Sequence, residues 1–101
     1  MSDDRIVVTV DEDLEELIPG FLENRNNDVP ILREALSGKD VAKLQSVGHS
    51  LKGVGGGYGF DVLSEIGADI EAAAKLNDLS NMEALINRLA DYLQRVDVVF
   101  E

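Results

Sequence analysis

Apolar residues recur at three- and four-residue spacing in four separate stretches of this chain, and the breaks between them are short and polar or rich in glycine. That period belongs to a helix with one buried face, so the pattern predicts four amphipathic helices rather than a sheet. The first stripe is Leu14, Ile18, Leu22, Val29, Leu32 and Leu36, with Arg25 in its one polar slot. Ser37 to Asp40 stops it, with Gly38 suited to a left-handed cap and Asp40 to capping the next helix, whose seam is Leu44, Val47, Leu51, Val54 and Tyr58. A glycine-rich break from Gly55 to Gly59 precedes Asp61, the expected cap of a third helix carrying Leu63, Ile66, Ile70 and Ala73 or Ala74. Asn77 and Asp78 end it. Ser80 and Glu83 have capping-box spacing, opening a fourth helix on Met82, Leu85, Ile86, Leu89, Leu93 and Val96.

Helices joined by loops of a few residues lie antiparallel to their neighbours, so the expected fold is all-α, an up-and-down antiparallel four-helix bundle. A helix start is expected at Asp11 to Asp13, where Asp13 and Glu16 form a capping box. Pro19 and Pro30 make the first helix long and kinked, or broken near Pro19-Gly20 or Asn26 to Asp28. Residues 1–10 read as an N-terminal extension. Within it the β-branched run Ile6 to Val10 is extended, but no second strand is evident to pair with it. With 101 residues and no linker or repeat, residues 1–101 form a single domain.

Composition removes most function classes. Twenty acidic against nine basic side chains give a net charge of -11, the wrong sign for nucleic acid or an anionic lipid surface. The absence of cysteine and the single histidine exclude disulfides, thiol chemistry and zinc sites built on those ligands, so no metal site is expected. No apolar run is long enough for a membrane span, and Met-Ser-Asp-Asp-Arg lacks the pattern of a signal peptide, so the expected address is cytoplasmic. The only mildly basic window runs from Lys39 to Phe60, with Lys39, Lys43 and Lys52 against Asp40, and it holds the one histidine. The remaining carboxylates read as solvating outer helix faces.

On the second helix, His49 falls opposite the apolar seam, with Gln45, Lys52, Gly53 and Gly56 around it. A lone histidine is often inert, but each glycine inside a helix costs about 1 kcal/mol relative to alanine. Glycines on the histidine's own face gain something for that cost: they strip the bulk beside the ring and let a macromolecule approach it. Close packing against a neighbouring helix is the alternative for Gly55. Neutral imidazole is a competent nucleophile, and an ammonium three residues on suits an anionic group such as phosphoryl. His49 and Lys52 thus read as a phosphoryl acceptor and its electrostatic partner.

His49-Ser50-Leu51-Lys52-Gly53, followed by Gly56, Gly57 and Gly59, resembles the signature of histidine-containing phosphotransfer domains of two-component phosphorelays. The resemblance runs from about Leu14 to Val96. It implies that His49 accepts a phosphoryl group from the aspartyl phosphate of a response-regulator receiver, or from the receiver of a hybrid sensor histidine kinase, and passes it to another receiver. Lys52 would then stabilise phosphoryl charge, Gly53 and Gly56 would keep the approach open, and Gly57 and Gly59 fall where the family has small residues. Gln45 is a candidate neighbour of the docking face. No intrinsic cofactor is implied, since the receiver supplies Mg²⁺. With no Walker-type phosphate loop and no room for a kinase domain, no autonomous kinase activity is expected of what reads as a monomer. The alternative is a helical adaptor that binds a signalling partner without chemistry.

Overall fold

The computed structural model describes residues 4–101; the first three residues of the expected extension, and most of the segment compared with a signal peptide, lie outside them. Strand β1 (Ile6–Val10) leads through a 3₁₀ helix (Glu12–Leu17) into α1 (Ile18–Ser37), α2 (Val41–Gly57), α3 (Asp61–Lys75) and α4 (Met82–Arg95), and the chain ends in strand β2 (Val96–Phe100). The four helices enclose one core, in which Leu32, Leu44, Leu51, Phe60, Leu63, Ile66, Ile70, Met82, Ile86 and Leu89 are fully buried.

The two termini depart from the all-helical expectation. β1 pairs in parallel with β2 in the register Ile6 to Val96 through Val10 to Phe100. The second strand is masked in the sequence because Val96 is in phase with the stripe of α4, although Val96, Val98 and Val99 are β-branched. Val10 is buried, so the supposed extension contributes to the core.

The first helix begins later than its acidic start suggests. Residues 12–17 wind as 3₁₀, capped by the Asp11 carboxylate accepting from the Asp13 amide at 2.9 Å, so the Asp13–Glu16 capping box does not form. The α-helix starts at Ile18 with Pro19 in its first turn, where a missing amide proton costs nothing. It then runs unbroken through Asn26 to Asp28 and past Pro30. Pro30 removes one ladder bond, but Phe21 before it and Leu32 and Ala35 after it are buried in the same core, which holds the helical path. Phe21 stacks on Tyr58 and Phe60, with ring centroids 4.6 and 5.0 Å apart. Arg25 fills its polar slot by pairing with Asp28 at 2.8 Å and lying over the Phe21 ring.

Several caps also differ. The left-handed residue after α1 is Lys39 (φ 54°), not Gly38 (φ -88°), while Asp40 caps α2 as expected by accepting from the Lys43 amide at 3.1 Å. Helix α2 continues through Gly55 to Gly57, and the chain turns at Gly59, whose φ of 87° suits glycine. The N-cap of α3 is Phe60, a residue earlier than Asp61, and its burial sets the boundary. Ser80 donates to Asp78 at 2.6 Å instead of capping α4, and Asn81 occupies the cap position.

Candidate functional site

Two glycines bring α2 and α3 together beneath the histidine. A Cβ on Gly48 would lie 2.7 Å from the Glu71 amide nitrogen, and one on Gly67 would lie 2.5 Å from the Lys52 amide nitrogen and 2.8 Å from the Gly48 carbonyl oxygen. Real side chains do not tolerate such contacts, so the backbones meet here only because both positions are bare. Gly55 makes a similar approach, its absent Cβ 2.7 Å from the Ser64 amide nitrogen, which is the packing role that was its alternative reading. These contacts pair rising positions on α2 with falling positions on α3, so the two helices run in opposite directions along this seam. Ser64 adds a bond across it, its hydroxyl donating to the Lys52 carbonyl at 2.8 Å.

Close approach at Gly48 and Gly67 delivers the side chain one turn further along α3 to the side chain next to Gly48. The Glu71 carboxylate Oε2 lies 2.8 Å from His49 Nδ1. Its Oε1 lies 3.2 Å from Lys52 Nζ, and Lys75 Nζ stands 3.8 Å from Oε2. The Glu71 side chain is only 8% exposed, whereas that of His49 is 72% exposed. A carboxylate at the base of the site thus anchors an imidazole projecting into solvent.

The ammonium of Lys52, hydrogen-bonded to Glu71, is the main influence holding that carboxyl below its ordinary range. Burial opposes it, while the His49 hydrogen bond and the charges of Lys52 and Lys75 add to the lowering. An ionised carboxylate only accepts hydrogen bonds, so His49 must carry a proton on Nδ1. In the neutral form of the ring the lone pair is then on Nε2, which has no hydrogen-bond partner among the described residues.

The residues singled out in the sequence fall as follows. His49, Lys52, Gly53, Gly56 and Gly57 are exposed on α2. A Cβ at Gly53 or Gly57 would meet nothing within 4 Å, and one at Gly56 would meet only the Ser64 hydroxyl at 3.7 Å, so no contact inside the chain demands glycine there. Gln45 is half-buried and shares a shallow open cleft with Ser46, His49, Glu71 and Lys75. Glu71 and Lys75 were not anticipated; reading the carboxylates as solvated outer faces is wrong for Glu71. Its signal was its phase: Leu63, Ile66, Gly67, Ile70, Glu71 and Ala74 form one continuous buried face of α3. A charge on such a face needs a partner.

The chain matches the Hpt domain family over residues 10–98 and belongs to it. That family implies histidine phosphotransfer in phosphorelays, with response-regulator receivers as the partners. No curated protein and no solved structure matches the chain. No helix among the described residues is long and apolar enough to cross a membrane.

Proposed function

We propose that this protein is a phosphorelay intermediate in which His49 reversibly carries the phosphoryl group. The observation that carries the reading is the hydrogen bond from His49 Nδ1 to Glu71, with the rest of the ring in solvent. The Nε2 lone pair attacks the phosphorus of a receiver's aspartyl phosphate. A P–N bond forms as the P–O bond to the aspartate breaks, and the electron pair leaves with the receiver's carboxylate. Nδ1 keeps its proton, and Glu71 balances the positive charge that the ring acquires. The reverse sequence delivers the group to the next receiver.

Lys52 Nζ lies 3.2 Å from the carboxylate that holds the imidazole, close enough to turn toward the transferred group and screen its charge. The open spaces at Gly53, Gly56 and Gly57, and the cleft beside Gln45, support a receiver face settling against α2. The receiver brings Mg²⁺ and the acidic pocket. The reading takes the chain as a cytoplasmic monomer with its helices ordered up and down, receiving from and delivering to response regulators or hybrid sensor kinases.

The test is intact-protein mass spectrometry after incubation with phosphoramidate, comparing the native chain with His49→Gln. A single acid-labile phosphate in the native chain, absent from the variant, is the expected result. No adduct beside a control domain that labels, together with receiver binding that survives His49→Gln, would favour an adaptor without chemistry.

A further inference from the structure

Far along the sequence from His49, the terminal ribbon presents an unfinished sheet. Glu101 donates its amide to the Val10 carbonyl at 3.1 Å, and in a parallel pair both backbone groups of a residue point to the same neighbour. Val10, Val8 and Ile6 therefore spend their amides and carbonyls on β2, and those of Val7 and Thr9 point the other way. Among the described residues these groups have no backbone partner. Their edge opens on a groove lined also by Gly59, Asp61, Val62 and Tyr92.

Tyr92 is a second, independent feature of this groove. Its residue is 3% exposed, and its hydroxyl is buried with no hydrogen-bond partner among the described residues. Buried hydroxyls are nearly always bonded, so an orphan in the wall of a groove marks a place for an incoming polar group. The edge also lacks the usual guards: Ile6–Val10 holds no proline, lysine or bulge, and Val7 is 62% exposed.

We propose that the free edge of β1 is a docking site for an extended segment of a partner protein, which adds a third strand by bonding to Val7 and Thr9 and places a basic side chain against Asp61. Backbone pairing would supply the affinity, and the groove the selection. The charge on the page favours a basic partner over a second copy. Among the described residues Asp61 is the only charged one lining the groove, and pairing two chains that each carry -11 would bring like charges together. The groove shares no lining residue with the cleft that holds His49 and Glu71, so a strand on β1 and a partner on His49 would meet different residues.

The test uses the full chain and two fluorescein-labelled peptides, Val-Lys-Val-Thr-Val-Lys-Val and its counterpart with glutamate for lysine, followed by anisotropy and by amide chemical shifts. The basic peptide should bind, moving the Val7 and Thr9 amides, and the acidic one should not. Val7→Pro removes an amide that makes no bond to β2, so it should abolish binding while the melting curve stays in place. Asp61→Asn, which leaves the backbone untouched, should weaken binding about tenfold. The proposal is overturned by no binding of the basic peptide, by equal binding of the two peptides, by equal binding to Val7→Pro and Asp61→Asn, or by shifts confined to the His49 face. Sedimentation showing a dimer that Val7→Pro dissolves would assign the edge to a second copy instead.

Discussion

Glu71 Oε2 lies 2.8 Å from His49 Nδ1, across two helices and 22 positions of sequence, and this bond occupies Nδ1 while leaving Nε2 without a partner among the described residues. Loss of a carboxylate behind a reacting imidazole typically costs ten- to a hundredfold, by analogy with the carboxylates that orient metal-bound histidines. Glu71→Ala should therefore slow phosphoramidate labelling of His49 about ten- to a hundredfold. Glu71→Gln retains an acceptor for Nδ1 but not the charge, and should fall between the two. Labelling rates unchanged in both variants would reduce Glu71 to a structural anchor.

The same carboxylate predicts an acid limb in stability. Its pKa sits below the ordinary 4.5 because Lys52 hydrogen-bonds to it, with His49 and Lys75 reinforcing the effect against burial. A group depressed in the folded state contributes fully above its unfolded value, and the contribution is lost as pH falls through the folded value. The stability gap between the native chain and Glu71→Gln should thus be widest well above pH 4.5 and should close as the solution is made more acidic. Denaturant unfolding at a series of pH values measures it. A gap independent of pH would place the cost of the variant in packing rather than charge.

Lys52 pairs with Glu71, and the proposed relay gives it a second task at the phosphoryl group; one variant tests both. Lys52→Ala removes the ammonium 3.2 Å from Glu71, so the Glu71 carboxyl should titrate closer to its ordinary range, followed by carboxyl-carbon chemical shifts. It should also slow transfer from a phosphorylated receiver, by about ten- to a hundredfold if the ammonium stabilises charge developing on the phosphoryl group. A titration shift without a rate change would confine Lys52 to holding Glu71.

What was legible in the sequence was local. His49, Lys52 and the glycines occupy two turns of one helix, so their spacing alone put them on one face, and the stripes of the four helices together named most of the core. The carboxylate behind the ring was missed because it depends on how α3 packs on α2, which Gly48 and Gly67 set and no single helix reveals. Its phase lies on the buried face of α3, but nothing in its local sequence distinguishes it from the other acidic residues of a chain that holds twenty. The terminal ribbon was missed for the same reason: Ile6 pairs with Val96, and nothing near either residue points to the other. On α1, Phe21 and Ala35 are buried more deeply than Leu22 and Leu36, whereas Ile18 and Leu32 of the same stripe are buried as their spacing implies.

Glycines at the seam and glycines at the surface should respond oppositely to the same substitution. At Gly67 a methyl group would be driven against the Lys52 amide nitrogen, the Leu51 side chain and the Gly48 carbonyl, with 2.5 Å to the nearest. The helices must then part, and Gly67→Ala should destabilise by about 1–3 kcal/mol. Because parting them withdraws Glu71 from His49, it should slow labelling as well. At Gly53 a methyl group meets nothing within 4 Å, so Gly53→Ala should stabilise by about 1 kcal/mol through helix propensity. Gly56→Leu adds bulk on the exposed face and should fold normally, label normally with phosphoramidate and yet accept poorly from a receiver, since only the large donor needs the cleared approach. Thermal melts combined with the two labelling assays check all three. If Gly56→Leu accepts from a receiver at the native rate, the exposed glycines are not keeping the approach open.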